Sequence, residues 1–323
     1  MDLISHAFLG YVMGRGLQLD KKTRLLFIIA CIFPDFDSVS LLAGWEAFSQ
    51  FHRGPSHSLV GGILISVALA VVFIGVVHLP SRKGLLIFLL CICGFASHVV
   101  LDVLTPWGTE ILWPFSREGI AFYVTYFFDP IFFSVFFLAF LIIHFTRFHT
   151  TRNVRFIAVT ALLLVSMNFG IRYYERDIAL KTVDIPSTVD VMSQPTIRLD
   201  RWWVIAKTSF NNGYIYDIYG VDSLGKTVLT HTTVESPFIN YEMSEPPLDS
   251  PEKAVSYSRK DRSVQIFIED SDLPAVKTTL EGYVWTIVWY DAMAETQGGM
   301  SREMLVILTV DGTFIKVEMV QSV

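Results

Sequence analysis

Long uncharged runs fill the first half of this chain, and short alternating runs fill the second. A helix needs about 20 mostly apolar residues to cross roughly 30 Å of hydrocarbon. Leu59–Val77 meets that length without a charge, and Leu85–Leu101 is uncharged but contains His98. Ile131–Phe145 and Phe156–Ile171 are slightly short and reach spanning length with their flanks. Leu25–Ala43 is apolar too, but Pro34-Asp35-Phe36-Asp37 interrupts it. Leu3–Leu19 fits either a first span or a helix lying partly in the interface; Gly10 and Gly14 suit close helix packing, while Arg15 weakens a full crossing. The pattern predicts an α-helical polytopic membrane domain over residues 1–176, with about five membrane helices, the N-terminal one spanning or interfacial.

Beyond Arg201 the period changes to two. Trp203–Phe210, Asn211-Asn212-Gly213 and Tyr214–Tyr219 read as a hairpin with an Asn-Gly turn. Ser263–Glu269, Gly282–Tyr290 and Met304–Val310 read as strands, and Asp311-Gly312 turns the last into Thr313–Val320. Residues 201–323 are therefore expected to form a small antiparallel all-β domain of about six to eight strands. Residues 177–200, with Pro186 and Pro195, read as the linker.

Composition sharpens this division. The 323 residues allow two domains, and a hydrophobic fraction of 52% with a mean hydropathy of +0.47 is too high for an ordinary soluble enzyme. A net charge of −6 argues against a nucleic-acid partner, which calls for a basic surface. The three cysteines, Cys31, Cys91 and Cys93, sit in apolar runs, so the C-terminal half has no disulfide to staple it. No basic residue precedes the first apolar run, unlike a cleavable signal. Lys21, Lys22 and Arg24, then Arg82 and Lys83, then Arg147, Arg152 and Arg155 fall on one side when the spans are counted, which makes that side cytoplasmic. The expectation is a multi-pass protein of the inner (plasma) membrane with its C-terminal domain outside the cytoplasm. Trp45, Trp107 and Trp113 would lie in the aromatic belt of that outer face.

Polar residues at the outer ends of the spans carry the candidate chemistry. Ionisable groups at membrane depth are costly and mark cavities or function. They are His6, Asp35, Asp37, His52, His57, His98, Asp102 and Asp129. His98 and Asp102 are four apart, so on a helix they share a face and can both reach one metal, or the carboxylate can orient the imidazole. Pro34 ends a helix and aims Asp35 and Asp37 into a loop. His52 and His57 cannot share a helix face, but the Gly54-Pro55 turn can bring both to one centre. Arg53 suits an anionic substrate oxygen, or snorkels to the interface. Together, His6, Asp35, His52, His57, His98 and Asp102 read as ligands of a transition metal. Nitrogen and oxygen donors without thiolate favour zinc, with manganese or iron as alternatives.

These motifs resemble the YdjM/YbcI family of inner-membrane proteins. The resemblance rests on Met1-Asp2-Leu3-Ile4-Ser5-His6, Pro34-Asp35-Phe36-Asp37, His52-Arg53-Gly54-Pro55-Ser56-His57-Ser58 and His98-x3-Asp102-x2-Thr105-x2-Gly108. Leu101–Ser116 and Asp129-Pro130 also follow the pattern, while Ser5 and Ser56 stand where threonine is common. The resemblance is strong over the first half and weak beyond it. It implies a metal-dependent hydrolase in the membrane; some members are described as LexA-binding.

Residues and resemblance converge on a metal-dependent hydrolase at the outer membrane–water interface, acting on a lipid or lipid-linked phosphate or ester in the bilayer. Asp37 or Asp129 would serve as general base or as an orienting carboxylate, and Arg53 would hold substrate charge. The alternatives are a non-catalytic membrane scaffold working through its C-terminal sheet, and a transporter or metal-handling protein.

Overall fold

The computed structural model describes residues 1–145, 150–210, 212–293 and 301–322; Arg147 and Asn211, used above, lie outside them. The chain divides into two compact units. One comprises Met1–Ile178 with Gln194–Trp202, the other Ala179–Ser193 with Trp203–Val323.

The first unit is helical, and the helices that start at Leu3, Lys21 and Leu59 begin where the sequence supplies a side-chain cap. Asp2 accepts from the Ser5 backbone N–H at 2.9 Å and opens α1, Leu3–Gly16. Asp20 accepts from the N–H groups of Lys22 and Thr23 and opens α2, Lys21–Ile32. Pro34 cannot donate to the ladder, and from Phe33 the backbone tightens into a 3-10 segment, Phe33–Ala43. Gly44, at a φ of +103° open to glycine, leads into the short α3, Trp45–Phe51. A 3-10 turn, Pro55–His57, precedes α4, Leu59–Val77, which Ser58 caps at Gly61. Then come α5, Gly84–Val103, α6, Pro130–Phe145, and α7, Thr151–Thr182.

Among the described residues, four helical segments are long and apolar enough to cross a membrane: Lys21–Ala43, Leu59–Val77, Gly84–Val103 and Thr151–Thr182. Pro130–Phe145 is a shorter apolar helix. Many of their exposed side chains are Leu, Val, Ile and Phe, as lipid-facing surfaces require. Packing follows small residues. Gly10 lies against Cys31 and Ile28, and Gly94 brings α5 against α2 so closely that an added Cβ would meet the Ala30 Cβ at 2.8 Å. Leu9 and Val12 of α1 share a core with Phe132 and Phe136 of α6 and Ala158 and Val165 of α7.

The second unit holds two four-stranded sheets, β1-β2-β3-β4 and β5-β6-β7-β8. The strands are β1 Asp190–Pro195, β2 Arg201–Phe210, β3 Gly213–Asp222, β4 Thr227–Ser236, β5 Pro274–Glu281, β6 Val284–Asp291, β7 Ser301–Thr309 and β8 Phe314–Ser322. Residues 177–200 thus carry the last turns of α7 and the strand β1 rather than a bare connection. Between the sheets in sequence lie α8, Pro251–Ser258, and α9, Arg262–Asp270.

The expected strand at Ser263–Glu269 is a helix. Val264, Ile266 and Ile268 alternate like a strand, but Asp261 caps a helix there, and Val264 and Phe267 share a buried side at i, i+3. Both join Trp285, Trp289 and Leu248 in the core, where the Trp285 indole N–H donates to the Leu248 carbonyl and that of Trp289 to Ser258 Oγ.

Candidate metal centre

Four chain segments converge on one buried group. Asp35 comes from the 3-10 segment after α2, His57 from the 3-10 turn before α4, and His98 and Asp102 from successive turns near the end of α5. Asp35 keeps slight exposure and the other three are buried. One ligand atom from each lies within 4.8 Å of all the others.

Hydrogen bonds fix which nitrogen each imidazole presents. His98 Nδ1 donates to the Cys31 carbonyl at 2.7 Å, near the break that Pro34 makes in the helical ladder. Ser56 Oγ donates to Asp37 Oδ2 at 2.5 Å and so accepts from His57 Nδ1 at 3.0 Å, with Asp37 Oδ2 itself 3.2 Å from that nitrogen. Both Nε2 atoms therefore face inward, 3.0 Å apart, and each offers a metal ion its lone pair when it carries no proton. Asp102 Oδ2 stands 3.2 Å from each Nε2, and Asp35 Oδ1 stands 3.7 and 3.5 Å from them. A tetrahedron with bonds of about 2.0–2.1 Å has edges of about 3.3 Å. The five measured edges scatter around that value. The donor set fits a divalent metal ion, and its chemistry does not single out which one.

The charges agree with the geometry. Burial works against a charged His57, but hydrogen bonds to Asp102, Asp35 and Asp37 outweigh it and lift the imidazole to about 10.

The other expected residues take separate places. His6 is buried and stacks on His98 with ring centroids 3.9 Å apart; its Nε2 is 3.4 Å from Asp102 Oδ1, and neither ring nitrogen makes a hydrogen bond. The Met1 amine pairs with the same Asp102 oxygen. His52 stands outside the four: its Nδ1 donates to Asp37 Oδ1 at 2.7 Å and its ring stacks on Phe48. Asp37 thus gathers His52, His57, Ser56 and the Arg53 backbone N–H, and orients the loop that carries His57.

Arg53 is buried at a φ of +59°, a strained value for a side-chain-bearing residue. Its Nη1 donates to Thr105 Oγ1 at 2.8 Å and to the Trp107 carbonyl at 2.7 Å, and its Nη2 is 3.4 Å from Asp102 Oδ1. Its Nε is buried without a hydrogen bond. Asp129 is joined by none of its contacts to the four. It caps α6 through the N–H groups of Ile131 and Phe132 and accepts from Thr125 Oγ1 and Asn168 Nδ2. Arg172 Nε pairs with it at 2.7 Å, both side chains fully buried. The remaining Arg172 nitrogens reach the carbonyls of Thr196, Ile197 and Arg198.

Sequence reading passed over Arg172, the Cys31 carbonyl and the anchoring of Arg53 on Trp107. The signal for Arg172 was present: Asn168 and Arg172 sit four apart at the end of an apolar run, the spacing of a shared helix face.

Comparison with known proteins agrees with the site's location in the first unit. The uncharacterized protein YfhP of Bacillus subtilis (strain 168) is 24% identical over 143 residues, covering 41% of this chain and 43% of that protein. The match thus spans less than half the length of that relative. No solved structure matches the chain. The model of the YdjM inner membrane protein family matches residues 1–178, the stretch that contributes every residue of the centre, and the chain belongs to that family.

Proposed function

We propose that the chain is a membrane-bound, metal-dependent hydrolase of the inner membrane, working at the outer membrane–water interface on a lipid or lipid-linked phosphate or ester. The observation that carries the reading is the pair of inward Nε2 atoms, 3.0 Å apart and flanked by two carboxylates. Asp35, His57, His98 and Asp102 would hold the ion, with zinc the first candidate and manganese or iron behind it. Such an ion, when bound, supplies Lewis acidity that activates water near neutral pH and polarises a phosphoryl or acyl oxygen.

The chain's own groups do the rest. Asp37 and the Cys31 carbonyl hold the two imidazoles in the productive tautomer. His6 stands beside Asp102, its Nε2 3.4 Å from Oδ1, and is placed to take or give a proton there. Arg53 holds the Asp102 end of the centre and has an unused Nε for a substrate oxygen. Asp129, tied to Arg172, serves as an anchor. The C-terminal unit lies outside the cytoplasm in this reading, following the basic clusters at Lys21–Arg24 and Arg82–Lys83.

Elemental analysis of the detergent-purified protein tests the reading. Near-stoichiometric zinc, manganese or iron, lost in folded His57→Ala and His98→Ala variants, together with hydrolysis of a phospholipid or lipid phosphate that both variants lack, is the expected result. Absence of metal from well-folded protein after metal is added back would refute it.

A further inference from the structure

The β unit contains a cavity of about 460 Å³, formed where Phe210 at the end of β2, Asn212 and the start of β3 meet the end of β4, the following loop and α8. Its volume lies within the range of small-molecule sites, about 300–1,000 Å³. Four aromatic rings line it, Phe210, Tyr214, Phe238 and Tyr241, together with the carboxylates of Glu235 and Glu252. No basic side chain is among its lining residues. Neither carboxylate has an ion-pair partner among the described residues.

The walls are pinned before any ligand arrives. The Asn240 N–H donates to the Asn212 carbonyl at 2.8 Å, and the Tyr214 hydroxyl donates to Asn240 Oδ1 at 3.3 Å. Arg259 donates to the carbonyls of Ile239 and Tyr241, holding the loop through its backbone. Gly213 lets the strands close, since an added Cβ would meet the Ser236 carbonyl oxygen at 2.1 Å. Phe238 is held at a φ of +65°, where a side-chain-bearing residue stays only if its surroundings force it.

We propose that this cavity binds a small organic ammonium cation. Aromatic faces attract cations through the ring quadrupole, and several rings with two acidic residues in the same lining suit a bulky, weakly hydrated ammonium group. Lys207 Nζ stands 3.9 Å from the centre of the Tyr214 ring, so one face of that ring already carries a cation and a ligand is left its other face and the remaining three rings. An anion would meet the carboxylates of Glu235 and Glu252, and a neutral apolar ligand would leave the half-buried Glu252 without a partner. The cation has two sources, a free quaternary amine or the headgroup of a choline lipid. The inference does not depend on the metal centre.

The test is equilibrium dialysis of radiolabelled choline against the full-length protein in a non-zwitterionic detergent. Saturable binding is expected, weakened about tenfold or more by Tyr241→Ala and by Glu252→Gln. The neutral isostere 3,3-dimethylbutan-1-ol should not displace choline. Displacement by short-chain phosphatidylcholine below its micellar concentration would assign the site to the lipid headgroup; failure to displace would assign it to the free amine. Glu252→Gln replaces a half-buried side chain with one of the same size, so its effect reports charge and not folding. Metal content in the same samples separates this result from the fate of the hydrolase reading. No saturable binding, equal displacement by the neutral isostere, or unchanged binding in both variants would overturn the proposal.

Discussion

Gly94→Ala tests whether helix packing sets the metal centre. The new methyl carbon would stand 2.8 Å from the Ala30 Cβ and 3.2 Å from the Cys31 nitrogen and Phe27 oxygen. Carbon atoms in ordinary contact sit about 3.5–4.0 Å apart, so α5 and α2 must part locally by about 0.7–1.2 Å. His98 lies one turn further along α5, and its hydrogen bond to Cys31 O is 2.7 Å long. Moving the helices by even 0.7 Å stretches that bond to about 3.4 Å, the edge of what counts as a hydrogen bond. Overpacking of this kind costs about 1–3 kcal/mol, and loss of an orienting partner lowers metal affinity about 10–100-fold. The assay is competition with a chelator of known affinity, run beside thermal unfolding of the same detergent sample. Adding Ala30→Gly removes the 2.8 Å clash and should recover part of both losses. Unchanged metal affinity in Gly94→Ala, or a double variant no better than the single, would refute the coupling.

The remaining predictions concern the flanking groups. His57→Ala should abolish metal retention, whereas His52→Ala, which removes a partner of Asp37 only, should cost about 10–100-fold, as should Asp37→Asn; equal effects of His52→Ala and His57→Ala in the chelator assay would contradict the assignment of His52. Arg172→Met leaves Asp129 buried without its partner and should destabilise the helical unit by about 3–5 kcal/mol, with partial recovery on adding Asp129→Asn; a thermal midpoint unmoved by Arg172→Met would count against the anchor. Asp20→Ala should cost about 1 kcal/mol at neutral pH. The Thr23 hydroxyl holds the Asp20 carboxyl below its usual range in the folded state, so that contribution is present above about pH 4 and fades as pH falls through the lower folded value; a difference from wild type that persists undiminished at low pH would show that the cap acts otherwise.

The spans were legible because bilayer crossing imposes a length and a polarity that few other structures need, and Leu59–Val77 satisfies both without a break. Asp35, His57, His98 and Asp102 could be singled out because charge at membrane depth is expensive enough to require a reason. Their relative roles were not legible. His52 and His57 look equivalent in the sequence, and only the turn at Gly54-Pro55 decides that one faces Asp102 while the other faces Asp37. Asp129 reads as an outer-face carboxylate like the rest, and its partner Arg172 comes from a different helix, a pairing no local pattern encodes. In the β unit, Val264, Ile266 and Ile268 satisfy a strand period, and the helix there wins through the Asp261 cap and the burial of Val264 and Phe267 against Trp285 and Trp289.

The wide sequence separation of the centre's parts constrains how the protein is made. His57 meets a histidine 41 residues downstream, and His98 leans on a carbonyl 67 residues upstream. As the chain leaves the ribosome, Asp35 and Asp37 follow α2 into the membrane, and Asp37 finds His52 and His57 in the segment just before α4. A nascent protein halted before α5 therefore holds Asp35 and His57 without the two ligands that complete the group. Insertion of α5 ends that state by supplying His98 and Asp102 together on successive turns, so maturation of the centre is a single late event in biogenesis.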